Sequence, residues 1–133
     1  MTDDKKKIGR LGEEAACEYL AGLGYEILER NYETYSGEID IVALDTGEDG
    51  DAGRKSGTMV FVEVKSRKDK RYGRAAHAVN REKLLHIVNS SAIYVKRHPW
   101  LKELHQRIDV IEVYSDGTLE HIKNVNLEGV VNA

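Results

Sequence analysis

Apolar positions along this chain fall into two rhythms. From Ile8 to about Leu23 they recur every three or four residues, at Ile8, Leu11, Ala15, Tyr19 and Leu23, with Ala16 and Leu20 widening the stripe. That spacing predicts an amphipathic helix, and Gly24 supplies its stop at the C′ position. A second helical pattern runs from Ala75 to about Val95, with Asn80 as an alternative start and Val79, Leu84, Ile87, Val88, Ala92 and Val95 as its buried stripe. Arg97-His98-Pro99 ends it. Five stretches read instead as strands: Tyr25–Tyr32, Glu38–Leu44, Met59–Lys65, Arg107–Tyr114 and Leu119–Val125. Ser115-Asp116-Gly117-Thr118 is the turn of a hairpin. The order helix, three strands, helix, two strands predicts an α/β fold: a mixed β-sheet flanked by α-helices. Residues 1–7 read as a charged, frayed end, 45–58 as a flexible loop rich in glycine and charge, and 128–133 as a tail.

The centre of the pattern is Met59-Val60-Phe61-Val62-Glu63-Val64-Lys65. It is apolar and β-branched, as in a strand covered on both faces. Yet it ends in a carboxylate and an ammonium. Alternation puts Glu63 and Lys65 on one face. Leaving such a charge buried and unpaired costs several kcal/mol, and Lys65 can neutralise Glu63 only in part. The strand Glu38–Leu44, after the Ser36-Gly37 turn, repeats the oddity. Strict alternation places Glu38 and Asp40 on one face, Ile39 and Ile41 on the other. If these strands pair antiparallel, Asp40 and Glu63 lie side by side. Two carboxylates about 5 Å apart repel by roughly 3 kcal/mol at an effective dielectric near 20. Either one is protonated or a cation sits between them. A divalent metal on two carboxylates beside a lysine suits phosphodiester hydrolysis.

On the first helix the neighbouring glutamates differ. At 100° per residue, Glu13 lies about 20° from Leu20, at the edge of the apolar stripe, whereas Glu14 and Glu18 point away from it. Glu13 can therefore look inward, with a boundary charge on a solvated helix as the plainer alternative.

Composition narrows the setting. The 133 residues fit one domain, and 41% hydrophobic with 32% charged is an ordinary globular balance. No apolar run is long enough to span a membrane, and the N-terminal residues lack the core of a secretory leader. The single cysteine, Cys17, excludes an internal disulfide and fits a reducing, cytoplasmic setting. A net charge of −3 means that any nucleic-acid binding needs a local patch. One exists. Between positions 65 and 74, Lys65, Arg67, Lys68, Lys70, Arg71 and Arg74 face one acid, Asp69, a local charge of +5. Directly after Glu63 and Lys65, such a run suits a polyanion site; a merely solvated loop is the plainer alternative. Lys83, on the flank of Ile87, can reach inward or simply extend into solvent.

Other chemistries lack their signatures. There is no G-x-S-x-G, no C-x-x-C and no phosphate-cradling glycine loop. The histidines 77, 86, 98, 105 and 121 show no metal-ligand spacing. The acidic 45–58 loop lacks the ligand run and closing Glu of a calcium loop. Catalytic capacity rests on carboxylates and lysine.

Gly12-Glu13, Asn31-Tyr32, Gly37-Glu38-Ile39-Asp40, Phe61-Val62-Glu63-Val64-Lys65-Ser66-Arg67, Lys83 and Ile108-Asp109-Val110 occur here in the order found in the YraN family of small bacterial proteins, which the chain resembles over roughly residues 8–127. That family is similar to the restriction-endonuclease-like superfamily with its D…(E/D)-x-K signature, archaeal Holliday junction resolvases included. The resemblance implies a Mg²⁺- or Mn²⁺-dependent nuclease. Asp40 matches the signature aspartate, Glu63 the second metal-binding carboxylate, Lys65 the lysine, and Glu13 the helix-borne glutamate of resolvase-like members. The Val64 carbonyl is a further candidate ligand. Arg67, Lys68, Lys70, Arg71, Arg74 and Lys83 are the candidate phosphate contacts, gripping DNA without sequence readout. The resemblance also implies a homodimer. The rivals are a nuclease-like module that binds nucleic acid without cutting, an interaction protein whose basic loop docks an acidic partner, and a structural ion-pair cluster at Asp40, Glu63 and Lys65.

Overall fold

The computed structural model describes residues 2–46, 57–68 and 80–126, with side chains from Lys7 onward. Helix α1 spans Thr2–Gly22, strands β1 Glu26–Thr34, β2 Gly37–Asp45 and β3 Thr58–Arg67, helix α2 Arg81–Arg97, then β4 His105–Tyr114 and β5 Leu119–Ile122. One five-stranded sheet has the order β1-β2-β3-β4-β5. Only β3 and β4 run parallel; the other neighbours are antiparallel. A parallel pair cannot be closed by a tight turn, and α2 lies in the crossover between those strands.

The two helices cover opposite faces. Leu84, Ile87 and Tyr94 of α2 pack with Val42, Met59, Phe61 and Val110. Ala16 and Leu20 of α1 pack with Ile41, Ala43, Val60, Val62, Ile111 and Val113. Residues 59–62 of β3 are fully buried, alternate ones under each helix, which is why the strand reads as a continuous apolar run. No helix among the described residues is long and apolar enough to cross a membrane.

Both helices depart from the stripes expected of them. α1 begins at Thr2, so residues 2–7 are helical rather than frayed; a turn once nucleated on the sheet extends through good helix formers such as lysine. Its core-facing line is Gly12, Ala16 and Leu20, while Ile8 and Leu11 are 56% and 60% exposed. The approach explains this. A Cβ on Gly12 would collide with Ser66 Oγ of β3, so glycine lets the helix come this close while Ser66 keeps its bond to the Ile8 carbonyl. In α2, capped by the Asn80 side chain on the Lys83 N–H, Ser90, Ser91 and Tyr94 hold core positions while Val88 and Ala92 face outward. Serine is tolerated inside because it is satisfied: Ser91 Oγ donates to the Ile87 carbonyl at 2.7 Å, and Ser90 Oγ meets Thr34 Oγ1 at 2.8 Å. Val79 lies outside the described residues. At the C-terminal end, β5 stops at Ile122 rather than continuing to Val125, with Asn124 in the left-handed region at φ 57°.

Candidate active site

The β2–β3 ladder runs from Asp45 opposite Thr58 to Ile41 opposite Val62 and then opens. The next pair in that register would be Asp40 and Glu63, the adjacency expected from the sequence. In place of a backbone bond, the Val64 N–H donates to Asp40 Oδ2 at 2.8 Å. The carboxylate thus sits in the fork between the two strands. Across from it on β1, Asn31 takes φ 52°, a left-handed conformation that asparagine accepts at low cost. Strict alternation fails at this point. Ile39 packs in the core under α2, Ile41 in the core under α1, whereas the sequence pattern put both on one face. The break aims Asp40 along the sheet instead of into either core.

Acids from both layers meet at this fork. Glu13 arrives from α1, brought in by the tight contact of Gly12 on Ser66. Oxygens of Glu13, Glu38 and Asp40 all lie within 4.8 Å of one another. Glu63 enters from β3 with 4% exposure. A cleft of about 410 Å³ is lined by Glu13, Asp40, Glu63, Val64, Lys65 and Ser66, among others. Glu14, as expected, points away and pairs with Arg30 at 3.7 Å. Glu38 is the member that sequence reasoning left without a role; its signal was its position two residues before Asp40.

The charges do not balance. Lys65 Nζ and Lys83 Nζ lie 3.4 and 3.6 Å from Glu63 Oε1. Lys83 therefore does reach inward. With every acid ionised, four carboxylates (Glu13, Glu38, Asp40, Glu63) against two ammonium groups leave a formal excess of two negative charges, of which a proton on Asp40 removes one. Asp40 bears the consequence. Burial first, then the charge on Glu63, then Glu13 and Glu38, push its pKa up to about 8, against the lowering effect of the Val64 N–H. Burial and the charges of Glu13, Glu33 and Glu63 also raise Glu38. The donors are all oxygens, the set that hard divalent cations prefer, and the excess equals the charge of one such ion.

The basic residues are distributed less simply. Arg67 Nε is 3.2 Å from Glu112 Oε1, a buried acid that stands opposite Lys65 on β4. Burial raises the pKa of Glu112 despite Arg67, and its Oε2 is buried without a hydrogen-bond partner. Lys68 is exposed, its backbone carbonyl taking a bond from Ser115 Oγ. Lys70, Arg71 and Arg74 lie outside the described residues.

The model of the uncharacterised protein family UPF0102 matches residues 12–113. The chain belongs to that family. Its UPF0102 relatives include proteins of Caldicellulosiruptor bescii, 36% identical over 92% of this chain and 93% of that one, and of Clostridium kluyveri, 44% identical over 85% and 84%. A third, from Trichlorobacter lovleyi, is 39% identical over 88% and 87%. The family expected from the motifs, YraN, is thus the one found. The UPF0102 match takes in Glu13, Glu38, Asp40, Glu63, Lys65 and Lys83.

A second polar network centres on Asp109 of β4, which is 0% exposed. It accepts from Arg107 Nε at 2.9 Å, His121 Nε2 at 2.7 Å and the Asn124 N–H at 3.0 Å. Arg107 also reaches Tyr25 and Asp45, and His121 Nδ1 meets Tyr19 Oη of α1 at 3.0 Å. Burial works against the charged form of Asp109, but the His121, Arg107 and Asn124 bonds outweigh it and hold its pKa below the usual range. This network ties β4, β5, α1 and the end of β2 together.

Proposed function

We propose that this chain is a metal-dependent nuclease acting on DNA phosphodiester bonds, with branched or damaged DNA as its substrate. The observation that carries the reading is the uncompensated negative charge in the cleft at the β2–β3 fork. Glu63 is buried and Asp40 and Glu13 are half-buried among like charges, while Glu38 stays exposed; acids held against one another in a cleft mark a candidate functional site. Glu13, Glu38 and Asp40 would hold Mg²⁺ or Mn²⁺, with Glu63 and the Val64 carbonyl as further ligands. When bound, such an ion polarises the scissile phosphate and lowers the pKa of a bound water. Lys65 orients the water or stabilises charge building on the phosphate. Lys83 holds Glu63 and adds a phosphate contact. Arg67 and Lys68 grip the backbone, and Lys70, Arg71 and Arg74 continue that basic run. A homodimer would bring two such clefts to a branched substrate.

A second reading has its own observation. Glu63 Oε1 is already within ion-pair distance of two lysines, and Arg67 of Glu112. That self-neutralisation favours a nucleic-acid-binding module that does not cut. The test is incubation with linear, nicked and four-way DNA under Mg²⁺, Mn²⁺ or EDTA. Metal-dependent cleavage of any substrate supports the enzyme. Tight binding without cleavage gives the module, and neither sinks both.

A further inference from the structure

The N-terminal half of α1 straddles β3, and the saddle between them is narrow. Ser66 Oγ donates to the Ile8 carbonyl at 3.3 Å and sits against Gly12. On the β2 side of this saddle lies the acidic cleft. On the β4 side lies a separate recess of about 580 Å³, mostly apolar, lined by Ile8, Leu11, Gly12, Ala15, Val113 and Tyr114. Ile8 and Ser66 line both. At the recess, Ile8 and Leu11 leave more than half of their surface in water on the helix facing the sheet, an arrangement that costs free energy unless something covers it. The recess wall also carries Arg67 and Lys68.

Apolar walls with cations beside them match a nucleotide, whose base is flat and poorly hydrated on its faces and whose phosphate is anionic. A paired base is held in its stack and cannot enter a recess; an unpaired one can. From these observations, and resting on the nuclease reading above, we infer that the recess receives the base of an unpaired nucleotide adjacent to the scissile phosphate. The substrate class is then DNA with a locally unpaired strand, not continuous duplex. Lys68, exposed at the recess wall, holds the phosphate of the unpaired nucleotide, Arg67 being held by Glu112 at 3.2 Å, while the neighbouring nucleotide lies across the saddle in the acidic cleft.

The test uses the full chain with Ca²⁺ in place of Mg²⁺, and two duplexes that each carry a one-nucleotide bulge. In one the bulged residue is a thymidine, in the other an abasic site; fluorescence anisotropy gives each affinity. The thymidine bulge is expected to bind roughly tenfold more tightly, the scale of one buried base. L11Q, at an exposed neutral position that folding tolerates, should bring that ratio toward one. Equal affinities in the wild type overturn the inference; if Mg²⁺-dependent cleavage persists, they leave the nuclease reading intact. Base-dependent binding without cleavage under any metal upholds the recess and removes the nuclease. Equal affinities, together with a dimer in sedimentation that L11Q dissociates, would overturn it in favour of a second copy of this chain.

Discussion

Asp40 and Asp109 are both strand aspartates drawn out of bulk water, and they have opposite fates. Asp109 receives a guanidinium, an imidazole N–H and a backbone N–H, and its pKa falls. Asp40 receives one backbone N–H and three carboxylate neighbours, and its pKa rises to about 8. The first is how a fold buries a charge for its own sake: every oxygen is matched. The second leaves a deficit that the protein itself does not fill. A matched charge and an unmatched one sit within one sheet, at β4 and at β2.

The comparison breaks most sharply on activity. Under the nuclease reading, D40A and E63A should each lower Mg²⁺-dependent cleavage by about a thousandfold or more, on the scale of losing a principal catalytic group. Affinity for DNA should stay equal or improve, because negative charge is removed. Loss of binding along with cleavage would show that the two acids support structure.

The next largest effect is on stability at the other aspartate. D109N leaves Arg107 facing a neutral amide in a buried network. About 3–5 kcal/mol should be lost in urea unfolding. D40N should act in the opposite direction, stabilising the metal-free protein by about 1–2 kcal/mol near pH 8, since the open cleft screens part of the repulsion it relieves. Destabilisation by D40N would mean that the charge at position 40 is compensated after all.

Their pH dependences should also be opposed. Asp40 keeps its proton in the folded chain up to about 8, while the unfolded chain releases it near the ordinary aspartate value of 3.8. The unfolded state therefore binds fewer protons between those values, and Asp40 makes stability fall as pH rises through that window. Asp109, with its pKa lowered, contributes stability above its unfolded value that is lost as pH falls through its folded value. Denaturation midpoints of the wild type and D40N across pH 4–9 without metal should converge at the acid end and separate toward alkaline pH. Parallel curves would contradict the raised Asp40. The smallest effect belongs to the periphery: reversing Lys68, Lys70 and Arg71 to Glu should weaken DNA binding and flatten its dependence on salt, each lost contact removing roughly one unit of slope. An unchanged slope would favour docking to an acidic protein.

Local rules read well wherever the chain obeys one period. The doubly covered β3, the inward Glu13, the outward Glu14 and the Gly24 stop all follow from spacing, and the Asp40–Glu63 adjacency from register. What escaped depended on contacts between distant residues. The burial of Gly12 in place of Leu11 follows from how closely α1 meets Ser66. The break of alternation at Asp40 coincides with the left-handed Asn31 across the ladder, and no period within β2 announces it. Glu38 joins Glu13 and Asp40 at that break. Nor does spacing alone show that His121, beyond the hairpin, returns to Asp109, because it depends on the β4–β5 register.

The single N–H held by Asp40 has a practical consequence. It makes the Val64 amide a resident reporter on the cleft, because any ligand that draws on the aspartate must alter the one bond stitching the open end of the two strands. A nuclear resonance at that position, or its rate of exchange with deuterium, would register occupancy of the cleft with no substrate turned over.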